Sequence, residues 1–162
     1  MDDRSGEKRV TDAIEELGIA ATIVRTAPAS NAEESAHLQG IQLSQLLKTI
    51  VVRKDDGEHV FVLVPGDRAI DWRKLRTHLG VSRASLPERA DAERITGYPV
   101  GAITPFGALS RLPVVVDAAA VAEETVALGG GERGVNVHIS PSELKERLGA
   151  VAADVTSVRS SS

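Results

Sequence analysis

The chain of 162 residues contains no cysteine. That absence excludes a disulfide framework, a thiolate nucleophile and a cysteine-ligated metal. Aromatic side chains are nearly as scarce. Phe61, Trp72, Tyr98 and Phe106 are the full set, too few for a platform on which successive bases could stack. No apolar run approaches the roughly 20 residues that span a bilayer. The N-terminus, Met1-Asp2-Asp3-Arg4-Ser5-Gly6, is polar and lacks the apolar centre of a signal peptide. A soluble, cytoplasmic protein is the expectation. His37, His59, His78 and His138 are scattered, with no pair at metal-ligand spacing. Neither a metal, another cofactor nor a histidine base is expected. His59 and His138 fall in strand-like segments, where exposed or satisfied imidazoles are ordinary.

What the chain does have is unevenly placed charge. The net charge is −4, which by its sum argues against a nucleic-acid binder, yet its distribution matters more. Residues 1–37 carry four basic and eight acidic side chains, whereas residues 68–94 carry seven basic and four acidic ones. The basic stretch (Arg68, Arg73, Lys74, Arg76, Arg83, Arg89 and Arg94) reads either as a solvated helical face or as a modest phosphate-contacting patch. Such a patch suits gripping one end of a nucleic acid rather than coating a duplex.

Periodicity and capping place the elements. Val10, Ile14 and Leu17 have helical spacing over 8–17, and Ala21 to Arg25 reads as a strand. Ser30 and Glu33 have capping-box spacing for a helix ending near Gly40. Ser44 to Leu47 is a further helical turn, followed by a strand over 49–53. Asp55-Asp56-Gly57 signals a hairpin to a strand over 59–64. Asp71 caps a helix over 72–79, and a second short helix runs over 87–95. Strand-like segments follow at 100–103, 114–116, 125–128 and 135–139. Ser140-Pro141-Ser142-Glu143 then opens a helix to Leu148. Residues 1–7 read as a flexible N-terminus, 8–155 as one domain and 156–162 as a disordered tail. Strands and helices mix without regular βαβ alternation, so the expected class is α+β, a mixed and largely antiparallel sheet flanked by helices.

Three features carry chemistry. Gly101-Ala102-Ile103-Thr104-Pro105-Phe106-Gly107 is a poor helix and a poor central strand. Gly admits φ values other residues avoid, and Pro fixes its own φ and lacks an N–H. The segment reads as a rigid loop with bare backbone groups, or as a plain tight turn. Lys48 interrupts an apolar segment, so its ammonium either snorkels outward or faces a pocket. Gly129-Gly130-Gly131-Glu132-Arg133-Gly134 reads as a hairpin turn, without the lysine and following helix of a P-loop.

Taken in order, these pieces resemble the YbaK/ProX family of aminoacyl-tRNA editing domains, free-standing relatives of the editing insertion of bacterial prolyl-tRNA synthetases. The matching pieces are Leu47-Lys48-Thr49-Ile50-Val51-Val52, Gly97 to Gly107, Leu112-Pro113-Val114-Val115-Val116-Asp117, Gly131-Glu132-Arg133-Gly134 and Ile139-Ser140-Pro141-Ser142-Glu143-Leu144. The resemblance runs from about Leu46 to Leu148, with a looser fit over Val10 to Val24. Each piece is weak alone, and their order makes the likeness strong. Where many relatives read Gly-Gly-Ile-Ser-Pro, this chain has Ala102 and Thr104. Gly129 and Gly130 stand where many have Ser and Ala.

The resemblance implies a curved or barrel-like mixed sheet and a trans-editing deacylase. Such an enzyme hydrolyses the ester of mischarged tRNA, with tRNA(Pro) carrying Cys, Ala, Ser or Thr as the expected substrate. It also implies that Lys48 lies in the substrate pocket and that Gly101, Ala102, Ile103, Thr104 and Pro105 form the catalytic loop. Backbone N–H groups there would stabilise a tetrahedral oxyanion without an ionisable side chain. Thr104 has no sequence-adjacent base and is not expected to be a nucleophile. Tyr98, Phe106, Asp117, Gly131 and Arg133 are the expected substrate-binding residues, with Arg133 free to bind phosphate or to pair with Asp117. The acceptor end of tRNA is the expected partner, and prolyl-tRNA synthetase a candidate one. The rival reading is a non-catalytic module that binds aminoacyl-tRNA or a nucleotide, or docks on a synthetase.

Overall fold

The computed structural model describes residues 4–159. The chain opens with α1 (Gly6–Leu17), β1 (Ala21–Arg25) and α2 (Ala32–Gln39), then a 3-10 turn at Leu43–Gln45. Next come β2 (Leu47–Lys54), β3 (His59–Pro65), β4 (Arg68–Ile70), α3 (Trp72–Leu79), β5 (Ala84–Ser85) and α4 (Arg89–Thr96). A long loop leads to β6 (Val114–Asp117), α5 (Ala118–Val121), β7 (Val126–Gly129) and β8 (Val135–Ile139). The last elements are α6 (Pro141–Leu148), β9 (Val151–Ala153) and β10 (Thr156–Val158).

The Asp55-Asp56-Gly57 hairpin forms as read, with Gly57 N–H donating to the Lys54 carbonyl. It pairs β2 with β3 from Leu47 opposite Pro65 to Arg53 opposite His59. Side chains alternate between the faces of a strand. Leu47, Val51, Phe61 and Leu63 enter one core with Val116, Leu128, Val137 and Phe106. Val52, Val60, Val62 and Val64 enter a second with Leu75 of α3 and Val155. The continuous apolar run of β3 therefore reflects burial on both faces.

The main sheet has the order β5-β2-β3-β6-β9, and a second has the order β1-β8-β7. The pairs are mostly antiparallel, but β3–β6 and β6–β9 are parallel. The class is thus α+β with an antiparallel-rich mixed sheet. The sheet expected to be curved or barrel-like is not a closed barrel: among the described residues these two sheets are joined by one isolated bridge, Leu46 to Ala127.

Other expectations shift locally. Helix α1 begins at Gly6 because Ser5 Oγ accepts from Lys8 N–H, so residues 6 and 7 are helical rather than flexible. Asn31, not Ser30, caps α2, its side chain accepting from Glu34 N–H. The expected strand over 100–103 is a turn, in which Ala102 N–H donates to the Pro99 carbonyl at 2.9 Å. Thr156–Val158, expected in a disordered tail, pairs antiparallel with β4, while 160–162 lie outside the described residues. Among the described residues no helix is long and apolar enough to cross a membrane.

His138 on β8 is satisfied, its Nε2 lying 2.9 Å from Gln39 Oε1 of α2. Burial pushes its pKa below the ordinary 6.5. Below the ordinary value the unfolded chain takes up a proton that the folded chain resists, so this imidazole costs stability as the pH falls through about 6.5. We expect the stability advantage of wild type over His138→Gln to shrink between pH 7.5 and 5.5, measured by urea denaturation. A constant difference would mean that His138 titrates normally in the folded chain.

Candidate active site

The edge of β2 facing β7 carries the site. On that side β2 pairs with β5 only at Arg53 and Lys54, and Leu46 bridges Ala127 just before β2 begins. Between these points the sheets separate, and a cavity of about 590 Å³ opens. Leu47 to Ile50 supply one wall, the loop from Val100 to Ile103 a second, and Gly129 the end of β7. The segment 29–32 before and into α2, with the turn 132–136, completes the rim.

Lys48 is exposed on this edge because it sits at the end of the strand, opposite Val64, where the second core stops. Arg133 lines the opposite rim, and its Nη2 donates to the Ala29 carbonyl at 3.3 Å. Glu33 lies near the rim. Its carboxyl is held below the usual carboxylate range chiefly by its own backbone N–H, then by the Arg159 guanidinium, with the Lys48 ammonium adding to both. The Arg159–Glu33 contact is 2.8 Å. Glu132 is the one acidic side chain among those lining the cavity.

Gly101 presents bare backbone to this space. Its φ is +100°, a region that L side chains rarely adopt, and no atom lies within 4 Å of where its Cβ would stand. Gly101 is also among the residues that line the cavity. Ala102 N–H is taken by Pro99, but Gly101 and Ile103 N–H meet no acceptor among the described residues. Gly129 faces the same loop: a Cβ there would stand 3.5 Å from the Ile103 carbonyl, an ordinary contact. The position has room for the side chain it lacks.

The structure thus brings together Lys48, Gly101, Ala102, Ile103 and Arg133. It keeps other expected residues away. Thr104 is fully buried, its hydroxyl without a partner among the described residues, and neither it nor Pro105 lines the cavity. Tyr98 and Phe106 are core residues, with Tyr98 OH donating to the Phe106 carbonyl at 2.6 Å. Asp117 is buried and forms no ion pair with Arg133 among the described residues. It caps α5, accepts from Val155 N–H at 3.1 Å and lies 3.7 Å from Arg68. Gly131 packs against the Gly6 backbone with no room for a side chain. Packing and hydrogen bonds hold Tyr98, Phe106, Asp117 and Gly131 in these positions.

Two residues carry no role in the sequence reading. Thr49 lines the cavity with a buried hydroxyl that has no partner among the described residues. Its signal was its place beside Lys48 in a strand. Arg9 of α1 is buried at 7% exposure and donates to the carbonyls of Gly97 and Gly107, at 2.8 and 2.7 Å, on either side of the loop. Nothing local marks it, because its acceptors lie some 90 residues on.

Comparison with known proteins gives the family and the fold. The profile of the aminoacyl-tRNA editing domain matches residues 26–147. The chain is 25% identical over 126 residues to a candidate Cys-tRNA(Pro)/Cys-tRNA(Cys) deacylase, EbsC, of Enterococcus faecalis, covering 78% of this chain and 77% of that one. It is 34% identical over 94 residues to the proline–tRNA ligase of Citrifermentans bemidjiense, covering 58% of this chain but only 16% of the ligase. A crystal structure of a candidate trans-editing enzyme for prolyl tRNA synthetase superposes with a TM-score of 0.87 at 26% identity, covering 96% of this chain and 99% of that one. The chain belongs to the aminoacyl-tRNA editing domain family. By that membership it falls among the hydrolases of mischarged aminoacyl-tRNA.

Gly101→Ala tests the loop geometry without a steric clash. The folded protein should lose about 1–3 kcal/mol from backbone strain alone. Thr104→Val removes a buried unpartnered hydroxyl and should be neutral or stabilising. Urea denaturation of both variants checks this, and the opposite order would place the strain at Thr104.

Proposed function

We propose that this chain is a trans-editing deacylase that hydrolyses the ester between a small amino acid and the 3′ end of tRNA(Pro), with Cys, Ala, Ser and Thr as the candidate acids. One observation carries the reading: Lys48, Gly101 and Ile103 line one cavity of about 590 Å³, and the backbone N–H groups of Gly101 and Ile103 meet no acceptor among the described residues. That volume lies within the roughly 300–1,000 Å³ of small-ligand sites. It suits a terminal adenosine carrying a small acyl group.

In this mechanism Lys48 holds the terminal ribose or phosphate and offsets negative charge developing at the ester. The N–H groups of Gly101 and Ile103 are the donors for the carbonyl oxygen as it becomes an oxyanion. Water, or a neighbouring group of the substrate itself, attacks the carbonyl carbon, and the ribose oxygen leaves with a proton. Arg133 across the rim is placed to meet a phosphate. Thr104, sealed in the core, takes no part in bond making. The rival reading, a binding module without turnover, draws on Gly129, which leaves unfilled the place where a side chain has room. Release of free amino acid at protein concentrations far below substrate separates the two.

Lys48→Ala should fold normally and lose roughly a hundredfold or more in kcat/KM on the edited tRNA, while Thr104→Val retains activity. The assay is release of labelled amino acid from proline tRNA charged in turn with Cys, Ala, Ser, Thr and Pro. An unchanged rate in folded Lys48→Ala would remove this residue from the site.

Binding should be only weakly salt dependent. Of the seven basic residues over 68–94, four lie in ion pairs: Arg68 with Asp117, Lys74 with Asp154, Arg89 with Glu93 and Arg94 with Asp91. Arg73, Arg76 and Arg83 form no ion pair among the described residues. The slope of log K against log salt scales with the phosphates neutralised. A slope implying about eight or more contacts would point to a broad tRNA-coating surface instead.

A further inference from the structure

We propose that Arg9 is a positioning residue for the catalytic loop: its guanidinium ties together the two ends of the segment that presents Gly101 and Ile103 to the cavity. The proposal rests on the deacylase reading above and adds to it a residue from α1 that is not among those lining the cavity. The loop between α4 and β6 has no ladder of its own. Inside it Ala102 N–H closes a turn on Pro99, and Val100 N–H donates to the Glu93 carboxylate at 2.8 Å. Leu109 N–H, donating to the Thr96 carbonyl at 3.0 Å, and Ser110 N–H, donating to the Ile95 carbonyl at 3.1 Å, return the chain to the end of α4, and Arg9 ties it by a side chain inside those bonds. Nη2 donates to the Thr96 carbonyl at 3.2 Å and the Gly107 carbonyl at 2.7 Å, and Nη1 donates to the Gly97 carbonyl at 2.8 Å.

The fit around the two terminal nitrogens is close, while the buried Nε has no hydrogen-bond partner among the described residues. The guanidinium carbon lies 4.3 Å from the centroid of the Tyr98 ring, within range of a cation–π interaction. Tyr98 OH in turn binds the Phe106 carbonyl, so the ring that stacks on Arg9 also braces the far end of the loop. A Cβ on Gly107 would stand 2.7 Å from the Arg9 carbonyl and 3.0 Å from Tyr98 OH. Only a glycine lets the returning chain come that close to α1. A planar fork can serve acceptors on two strands of chain at once, whereas an ammonium is a point donor on a flexible stem. The shape of the loop between Gly97 and Gly107 is therefore tied to a guanidinium specifically. Because oxyanion donors must be held in place before the reaction, loosening this tie acts on the chemical step rather than on tRNA capture.

The test uses the full chain with Arg9→Lys, Arg9→Ala and Tyr98→Phe, the last removing one hydroxyl from the same assembly. Deacylation is resolved into kcat and KM, and amide hydrogen exchange is followed over 97–107. Leu75→Ala, which truncates the separate core beneath α3, serves as a stability-matched control. We expect Arg9→Lys to lower kcat roughly tenfold to a hundredfold with KM unchanged. Exchange over 97–107 should quicken in both Arg9 variants. Tyr98→Phe should show a smaller loss in kcat. Guanidinium ion at low millimolar concentration should restore part of the kcat of Arg9→Ala, where equal sodium chloride does not. Wild-type kcat in folded Arg9→Lys, a loss confined to KM, or an equal kcat loss in Leu75→Ala would each overturn the proposal. If wild type releases no amino acid from any charged tRNA, the deacylase reading fails. The exchange arm still decides the positioning claim in that case, since unchanged exchange over 97–107 refutes it.

Discussion

The register between β2 and β3 is the constraint on which the rest of the molecule depends. Seven residue pairs, from Leu47 opposite Pro65 to Arg53 opposite His59, hold the two strands. Strand β3 is buried along most of its length and β2 at Leu47, Val51 and Val52, so a slip of one residue would exchange the side chains that face the two cores. Leu47 and Val51 would then trade places with Lys48 and Val52, and an ammonium would enter the principal core. Burial of an unpaired charge is prohibitive, so this register is strongly specified. The same register puts Lys48 at the strand end where the second core stops, and the edge of β2 left open by β5 and β7 becomes the cavity.

Around that edge, the walls are held in two different ways. The sheet wall is rigid because Leu47 and Val51 are packed into the core. The rim near α2 is held mainly by polar contacts. Ala36 is the buried residue of that helix, and the rest of its attachment includes Gln39 to His138, Glu33 to Arg159 and the Ala29 carbonyl to Arg133. The chain just before it is tied by Thr26 N–H to the Gly134 carbonyl at 2.8 Å. Charges that face the cavity thus also hold its rim, and Arg133 belongs to both sets.

Much of the fold was legible because its signals are local. The Asp55-Asp56-Gly57 turn, the Asp71 cap and the Ser140-Pro141-Ser142-Glu143 entry to α6 each act within a few residues, and each forms as read. The gathering of Lys48, Gly101 to Ile103 and Arg133 followed from the ordered likeness of motifs. What stayed hidden depends on distant partners. Asp117 belongs to a matched segment, yet its carboxylate is engaged by Val155 N–H and Arg68. Tyr98 and Phe106 flank the loop in sequence but turn inward, bonded to each other. Val100 to Ile103 has the composition of a strand, and only the turn closed on Pro99 shows why it is none. Thr156–Val158 resembles a polar tail until β4 lies beside it.

The pairing of β1 with β8 sets a clock. Val24 faces Asn136, whose side chain donates to its carbonyl across 112 residues of sequence. A chain made from its N-terminus must therefore hold β1 without its partner while nearly all of the main sheet is synthesised. Rates of folding fall as such distant pairings come to dominate. During that interval β1 is an unpaired edge, the kind of surface on which nascent chains associate wrongly. The cavity, whose far rim is the turn leading into β8, comes into being only when that wait is over. On the ribosome, the hairpin of β2 and β3 can be complete long before there is any site for it to serve.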